Sequence, residues 1–353
     1  MFSNLFVRSI FAATVASTAV LGSLTPADAQ DKRIRWQLAS GYPSSMIQLG
    51  TLGVTLTKKL HRVSGGNIDV KFNEPGALVP ALQIFDAVSK GTVDAAWSST
   101  GLYTGKDIAF AFFSAVPFGP ETGEFLAWMY YGGGLELWHE LFHKYDVHAL
   151  PCGVTPPEAS GWFRREIKTL DDLKGLKMRF FGLGARAMEK LGVSTQLIPG
   201  GEIMQSLQFG TIDATEFAMP AVDLALGFHS VTKHYYFPGW HQPATLYALF
   251  INKKNWDGLS DTQKAQFEMV CGDNIREGIA EGEALQFKAM EELKAKGVTF
   301  HQWGPEFIAA FKKAWDEVAE EEAAKSPMFK KALESSKTFR AKYKVWLDLG
   351  YMK

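Results

Sequence analysis

Hydrophobic and polar positions alternate along short segments of this chain and recur at helical spacing between them. Residues 34–39 (IRWQLA) and 68–72 (IDVKF) alternate as strands do. Residues 46–66 place apolar side chains at helical spacing before a Gly-Gly stop. Residues 80–97 (PALQIFDAVSKGTVDAAW) predict a helix, a glycine turn and another strand. Strands that alternate with helices in this way predict parallel βα units.

The same order of elements returns in the second half of the chain. Strands are predicted in KMRFF (177–181), STQLIP (194–199) and TIDATEF (211–217), with helices in 182–192 and 200–210 between them. GTIDATEF (210–217) resembles GTVDAAW (91–97), and both follow a predicted helix and begin with a glycine that permits a left-handed helix exit. The repeat indicates two similar α/β lobes, and only its second copy ends on a carboxylate, that of Glu216.

From residue 260 onward the pattern is mostly helical and is interrupted by one predicted strand in VTFHQW (298–303). We expect these late helices to pack across both lobes. The sequence has no low-complexity linker, so strands that cross from one lobe to the other are the expected connection.

Composition and charge narrow the function classes. The chain has 353 residues, 46% of them hydrophobic and 21% charged, which is typical of a globular protein with room for two domains. Lys and Arg number 37 against 38 Asp and Glu, and this balance argues against nucleic acid or an acidic membrane surface as the partner.

The N-terminus has the features of a secretory signal peptide. Arg8 precedes an apolar stretch at 10–24, and an A-x-A site at 27–29 is followed by Gln30. We therefore expect residues 1–29 to be removed and the mature protein to be exported to the periplasm; a membrane anchor is the alternative.

Export permits a disulfide, but two cysteines in a chain with a large core make no disulfide framework. Cys152 and Cys271 are therefore expected to be buried free thiols.

HELFH, at 139–143, matches the H-E-x-x-H pattern of zinc metalloproteases. On a helix, His139 and His143 would share one face, with Glu140 as the base. The alternative is an amphipathic helix whose buried stripe consists of Leu135, Trp138, Leu141 and Phe142. No third zinc ligand stands in a clear helical pattern, and P-loop and G-x-S-x-G motifs are absent from the sequence. We therefore expect a protein that is not an enzyme, with the zinc metalloprotease as a remote alternative.

Several ordered motifs resemble the substrate-binding subunits of tripartite ATP-independent periplasmic (TRAP) transporters, nearest to the branch that binds 2-oxo and 2-hydroxy acids. They include LVPALQIFDAVSKGTVDAA, AVPFG, YYGGGLELW, GWFRREIKTLDDLKGLKMR, GGEI, HYYFPGW and SPMFKKALESSKTFR. The resemblance implies a two-lobed, periplasmic-binding-protein-like α/β fold with crossing strands and a long bridging helix. We place lobe I at 30–153 and 243–275, and lobe II with the C-terminal helices at 154–242 and 276–353. The partners it implies are a small carboxylate and the membrane subunits of a TRAP transporter.

The resemblance also assigns the site. It places on Arg179 the arginine that holds the ligand carboxylate in a two-pronged contact, for which a planar guanidinium is suited. From the residues alone, a buried ion pair with a carboxylate of the protein is the alternative. The metal that the branch shares with its ligand would be held by Glu158, Glu216, the carbonyl of Phe217 and Gln242. Glu158 stands where the branch has Gln, and Gln242 stands where it has Glu. The resulting all-oxygen set suits Ca²⁺ or Na⁺.

Other positions bear on the ligand and on assembly. The resemblance places Tyr103 at the cleft, where its hydroxyl would donate to the ligand. Phe217 replaces the usual Trp, so a larger or aromatic carboxylate is an alternative to a small 2-oxo or 2-hydroxy acid. Together with Arg179, the predicted substrate-binding residues are therefore Glu158, Phe217, Tyr103 and Gln242. The chain ends before the long final helix that some members use for pairing, which leaves a homodimer as a possibility only.

Overall fold

The computed structural model describes residues 31–352, so the predicted signal peptide lies outside the described residues. The strands within that range are β1 (Ile34–Ser40), β2 (Ile68–Asn73), β3 (Ala95–Ser99), β4 (Val147–Thr155), β5 (Gly161–Phe163), β6 (Lys177–Arg179), β7 (Ser194–Gln196), β8 (Ala214–Thr215), β9 (His234–Phe237), β10 (Thr245–Asn252) and β11 (Thr299–Gln302). The helices are α1 (Thr51–Val63), α2 (Ile84–Ser89), α3 (Ala109–Phe112), α4 (Thr122–Tyr131), α5 (Gly134–His143), α6 (Gly182–Lys190), α7 (Ile203–Gln208), α8 (Pro220–Leu226), α9 (Lys253–Asp257), α10 (Asp261–Ala295), α11 (Pro305–Lys325) and α12 (Pro327–Gly350). They agree with the predicted order of strands and helices.

The strands form two sheets. The first has the order β2-β1-β3-β10-β4, in which β1 is parallel to β2 and β3, while β10 runs antiparallel to both of its neighbours. The second has the order β11-β9-β5-β8-β6-β7, in which β6 is parallel to β7 and β8. The parallel pairs confirm the predicted βα units, and the α/β fold class is correct. The division into lobes at 30–153 with 243–275 and at 154–242 with 276–353 stays a prediction.

Two segments cross between the sheets and lie side by side. The first joins β4 to β5 through residues 156–160, and the second joins β9 to β10 through residues 238–244. The Glu158 amide donates to the Gln242 carbonyl at 3.2 Å, which holds the two crossing segments together. The 35-residue helix α10 packs against α1 and β4 and also against α8, the helix that follows β8 of the second sheet, as expected of the predicted bridging helix.

The first helix starts later than its hydrophobic pattern predicted. Residues 46–50 form turns, and α1 begins at Thr51. Gln48 has a φ of 61°, which is incompatible with a right-handed helix. A Cβ on Gly50 would lie 1.7 Å from the Pro43 carbonyl oxygen, so only glycine permits this close approach. The apolar side chains before α1 therefore fill the core from a turn.

The expectation of two free thiols was wrong. Cys152 on β4 and Cys271 on α10 form a disulfide, with their Cα atoms 4.1 Å apart. Both residues are buried, and Asn274, one turn further along α10, donates to the Cys152 carbonyl at 2.8 Å. Helix α10 is therefore tied to the first sheet by a covalent bond and an adjacent hydrogen bond. The sequence could not show this contact because the two cysteines are 119 residues apart.

The HELFH segment forms the second half of α5, and its histidines contact a third one, His148. Leu137, Trp138, Leu141 and Phe142 are buried, largely as the amphipathic interpretation predicted, and Leu135 packs partly buried against the same core. The rings of His139 and His143 stack with their centroids 5.5 Å apart, and His143 Nε2 lies 3.1 Å from His148 Nδ1 on β4. Glu140 pairs instead with Lys331 of α12. The helix is therefore a packing element whose glutamate is engaged elsewhere.

The three-histidine cluster should make stability sensitive to acid. Burial, helped by the neighbouring His139 and His143, lowers the pKa of His148 to about 3. The folded state thus favours the neutral ring; this contribution to stability is complete above the unfolded pKa of about 6.5 and is lost as the pH falls towards 3. We expect the melting temperature of His148→Gln to fall less than that of the parent between pH 7 and pH 5. His61→Gln, at a solvent-exposed position, is the control. Equal slopes in all three proteins would contradict this account.

Candidate functional site

Arg179 and Glu216 meet because their strands are parallel neighbours. Arg179 is the last residue of β6, and its register partner is Thr215, the last residue of β8. The carboxyl ends of parallel strands open at one edge of a sheet, where ligands commonly bind. Glu216 follows β8 directly, so its side chain reaches the same edge as the guanidinium.

The Arg179 guanidinium is buried, with 3% of its side chain exposed, and is held from two sides. Its Nη1 donates to Glu216 Oε1 at 2.6 Å and to the Glu216 carbonyl at 2.8 Å, and its Nε donates to the Ile198 carbonyl at 3.2 Å. In this structure Arg179 therefore makes the buried ion pair that was the alternative to direct ligand contact. Its Nη2 has no hydrogen-bond partner among residues 31–352 and remains available to a ligand.

Two aromatic rings flank the guanidinium. The Arg179 Cζ atom lies 5.2 Å from the centre of the Phe217 ring and 5.9 Å from that of Phe181, within the range of cation–π contacts. A Cβ on Gly200 would come within 2.5 Å of the Phe217 ring, so glycine at this position lets Phe217 approach. The two rings therefore restrict the orientation of the guanidinium plane from which Arg179 donates to a ligand.

Glu158 is a second buried carboxylate at this edge. Its Oε1 accepts from Gln242 Nε2 at 3.1 Å and from Thr245 Oγ1 at 2.9 Å. Burial raises the pKa of Glu158 well above its usual range, and the nearby Glu216 raises it further. For Glu216, burial also acts to raise the pKa, but the Arg179 guanidinium and His241 outweigh burial and lower it. Glu216 is therefore the carboxylate that ionises readily, whereas Glu158 has no cation beside it within residues 31–352 to offset its burial.

Several acceptor atoms in the site are buried without a hydrogen-bond partner. They are Glu158 Oε2, Glu216 Oε2 and Gln242 Oε1. An unpaired buried acceptor costs about 1–3 kcal/mol, so three together indicate a missing electropositive group. The predicted ligands Glu158, Glu216 and Gln242 thus lie together and fit a metal ion. Phe217, whose carbonyl completes the predicted set, follows Glu216 directly.

A narrow cavity opens beside these groups. Its lining includes the predicted residues Arg179, Glu158, Phe217 and Gln242, and its other walls are mostly apolar, among them Tyr42, Leu49, Leu82, Leu102, Phe181 and Tyr247. A single guanidinium beside apolar walls suits a ligand with one carboxylate and an apolar remainder.

One predicted residue lies apart from this cavity, and several lining residues escaped the sequence analysis. Tyr103 is buried, donates to Ser98 Oγ at 3.1 Å and packs against Phe85, while the neighbouring Leu102 lines the cavity. Tyr42 and Thr245 were missed because they follow or begin strands without any distinctive pattern. His241 was missed although it lies between the PGW motif and Gln242; its Nε2 is 3.5 Å from Glu216 Oε2.

Comparisons with known proteins identify the family. The family model described as bacterial extracellular solute-binding protein, family 7, matches residues 38–326. The chain is 34% identical over 342 residues to the monocarboxylate 2-oxoacid-binding periplasmic protein of Nostoc sp. (strain PCC 7120), covering 95% of this chain and 93% of that protein. The chain therefore belongs to the family 7 extracellular solute-binding proteins, as the sequence motifs predicted.

Solved structures agree with this assignment. A TRAP transporter solute-binding protein from Bordetella bronchiseptica RB50 superposes with a TM-score of 0.88 at 34% identity, covering 90% of this chain and 94% of that one. It was described as a mixed-occupancy dimer with calcium and picolinate in one active site. A second, from Pseudoalteromonas atlantica T6c with bound sodium and pyruvate, gives a TM-score of 0.86 at 32% identity, covering 89% and 96%.

Family membership also resolves the enzyme question. These proteins are substrate receptors of transporters, so the expectation that the chain is not an enzyme is confirmed, and the zinc metalloprotease hypothesis for His139, Glu140 and His143 is wrong. The physical reason lies in α5, where Glu140 is paired with Lys331 and His143 contacts His148. Between residues 31 and 352, no helix combines the length and the apolar character that a membrane crossing requires.

Proposed function

We propose that this protein is a periplasmic receptor that captures a small 2-oxo or 2-hydroxy monocarboxylate together with a metal ion and delivers it to the membrane subunits of a TRAP transporter. The observation that carries the proposal is a buried arginine that lines a cavity together with Glu158 and Gln242 and is paired with Glu216, while each of these three residues has an unpartnered buried acceptor. Receptors of the same family at 32–34% identity were solved with calcium and picolinate or with sodium and pyruvate. These structures support a monocarboxylate as the ligand and Ca²⁺ or Na⁺ as the metal.

Arg179 would recognise the ligand carboxylate. Its Nη2 offers two N–H groups to the ligand, and the delocalised charge of the guanidinium attracts the carboxylate, while the hydrogen bonds of Nη1 and Nε hold the group in place. A second ligand contact becomes available if Glu216 turns from Nη1 towards the metal, which would complete the two-pronged contact that the resemblance implies. Since burial strengthens such charge-assisted bonds, one arginine suffices for selection of an anion.

The metal would be held by Glu158, Glu216 and Gln242, with the Phe217 carbonyl as a further oxygen donor. When bound, the ion supplies positive charge to a ligand oxygen next to the carboxylate, as the 2-oxo or 2-hydroxy group offers. The two glutamates carry the negative charge that balances it, and Thr245 and Gln242 orient Glu158 through its other oxygen. An acid without an oxygen at position 2 should therefore bind less tightly.

A larger or aromatic carboxylate is the second candidate within the family. The observation that favours it is the aromatic wall formed by Tyr42, Phe217 and Tyr247, since planar ligands stack on such rings. A thermal-shift screen with pyruvate, lactate, 2-oxobutyrate and picolinate, each with Ca²⁺, separates the two ligand classes, because picolinate is aromatic and the other three acids are small and aliphatic. A ligand at 100 times its Kd stabilises by about 2.7 kcal/mol. If none of these acids changes the melting temperature, the proposed substrate class is wrong.

Export and assembly complete the proposal. Residues 1–29 would direct the chain to the periplasm and be removed, in keeping with the periplasmic relative. The lobes would be 30–153 with 243–275, and 154–242 with 276–353, and would close on the ligand. A homodimer is a further possibility, since one relative was described as a dimer. N-terminal sequencing of the protein from a periplasmic extract would test the cleavage site.

The exchange of Glu and Gln between positions 158 and 242 gives a direct test of the metal site. Glu158→Gln should weaken Ca²⁺ binding, because it removes an anionic ligand, and should raise the melting temperature in EDTA, because it removes a buried carboxylate that Glu216 repels. Gln242→Glu should lower that melting temperature. The double variant should recover much of the Ca²⁺ binding, since neighbours that share a partner are not additive. Simple additive losses, measured by calorimetry, would show that the two side chains do not share an ion.

A further inference from the structure

We propose that His241 is a direct ligand of the metal, so that the site has a mixed nitrogen–oxygen donor set and prefers Mn²⁺ and Zn²⁺ to Ca²⁺. This inference rests on the metal site of the proposed function. Glu158, Glu216 and His241 each offer a ligand atom, and these atoms lie within 4.8 Å of one another. All three side chains are buried, and no other such group of three was found between residues 31 and 352.

The imidazole of His241 makes one long polar contact, to Glu216, and no hydrogen bond of ordinary length. Its side chain has an exposed fraction of 0%, and neither Nδ1 nor Nε2 makes a hydrogen bond within the described part of the chain. A neutral imidazole needs one acceptor and one donor, so leaving both nitrogens unpaired in the interior is costly. Coordination of a metal by one nitrogen would remove part of that cost.

The distance between His241 and Glu216 favours two ligands of one ion over a hydrogen bond. Nε2 lies 3.5 Å from Glu216 Oε2, beyond the 2.7–3.2 Å that is usual for an N–H···O bond. Two donor atoms about 2.2 Å from one ion, at angles of about 90–110°, are separated by about 3.1–3.6 Å. The observed distance falls in that range, and Glu216 Oε2 is itself unpartnered.

The ring is also held in place. It packs edge-on against Phe180, with the centroids 4.9 Å apart, and next to Trp240. A Cβ on Gly184 at the start of α6 would lie 2.8 Å from the His241 Cβ, so glycine there lets the histidine backbone approach. A ligand that is fixed before the ion arrives needs little reorganisation.

A nitrogen donor changes which ions the site prefers. Oxygen-only sites favour Ca²⁺ and Na⁺, whereas imidazole favours transition metals. We expect Mn²⁺ and Zn²⁺ to bind at least about tenfold more tightly than Ca²⁺, a preference that follows from imidazole coordination. His241→Gln replaces the nitrogen with an amide, and should keep Ca²⁺ binding within about threefold while abolishing the preference for Mn²⁺.

The test is pulsed EPR of the Mn²⁺-loaded protein labelled with ¹⁵N-histidine, in parallel with competitive titration of Mn²⁺ and Ca²⁺. His148→Gln and His301→Gln serve as matched controls, because His148 contacts both His139 and His143, and His301 contacts His234. The expected result is a directly coordinated ¹⁵N nucleus in the parent and both controls, and none in His241→Gln.

The outcomes separate this inference from the proposed function. Stoichiometric Mn²⁺ or Ca²⁺ binding without a coordinated nitrogen, and with no preference for Mn²⁺, would overturn the role of His241 and leave the metal site standing. Failure of every ion to bind would overturn the metal site itself. Should His241→Gln not fold, the nitrogen coupling in a protein that carries His139→Gln, His148→Gln and His301→Gln still decides, because these three changes leave no close histidine pair within residues 31–352.

Discussion

Replacing Arg179 with Ala is expected to abolish carboxylate binding and to lower the free energy of unfolding by about 3–5 kcal/mol. The stability loss follows from the ion pair, because Glu216 would be left buried without its cation and next to Glu158. Binding should weaken by about 2–5 kcal/mol through the loss of a charge-assisted contact in a closed site. Denaturant unfolding and calorimetry with pyruvate measure the two effects separately.

Two further variants separate stability from recognition. Arg179→Lys keeps the charge but loses the planar fork, so it should recover part of the stability and little of the affinity. The double change Arg179→Met with Glu216→Gln removes both charges; it should recover most of the stability and none of the binding, because a buried pair can be replaced by uncharged groups at small cost. Near-parental affinity in Arg179→Ala would contradict the assignment of this residue to the ligand.

Removing the disulfide should have the second large effect. Cys152→Ser with Cys271→Ser opens a loop with a sequence separation of 119 residues, and the chain-entropy model gives about 4–5 kcal/mol for a loop of that size. The fold should persist at 25 °C, because Asn274 still joins α10 to β4 through the Cys152 carbonyl. Ligand affinity should be unchanged, since neither cysteine lines the cavity.

The matched control for the disulfide is chemical. Full reduction of the parent should lower its unfolding midpoint to that of the double serine variant, while the same reductant should leave the variant unaffected. Thiol titration of the denatured, unreduced parent should find no free thiol. Two free thiols, or equal midpoints before and after reduction, would contradict a bond between Cys152 and Cys271.

Local pattern placed Arg179 and Glu216 on two predicted strands, 177–181 and 211–217, and parallel strands bring their carboxyl ends to one edge of a sheet. The role of Arg179 towards a ligand came from the family resemblance. Glu158 and Gln242 came only from the resemblance, because they lie in crossing segments whose pairing depends on the whole fold.

Other features could not be read from the sequence because they depend on distant packing. The Cys152–Cys271 bond depends on how α10 lies on β4, and α1 begins late because Gly50 meets Pro43 in space. His241 carries no period or motif of its own, and only its distance to Glu216 marks it. Strand β8 is only two residues long, Ala214–Thr215, although its hydrophobic stretch is longer.

The most direct test of the central claim is calorimetric titration of pyruvate into protein stripped of metal with EDTA and then refilled with a defined ion. The account predicts strong, one-to-one binding in the presence of Ca²⁺, at least about tenfold weaker binding in a metal-free, sodium-free buffer, and none in Arg179→Ala at any metal concentration. Absence of binding for pyruvate, lactate and picolinate alike, with Ca²⁺, Na⁺ or Mn²⁺ present, would contradict a metal-assisted monocarboxylate receptor.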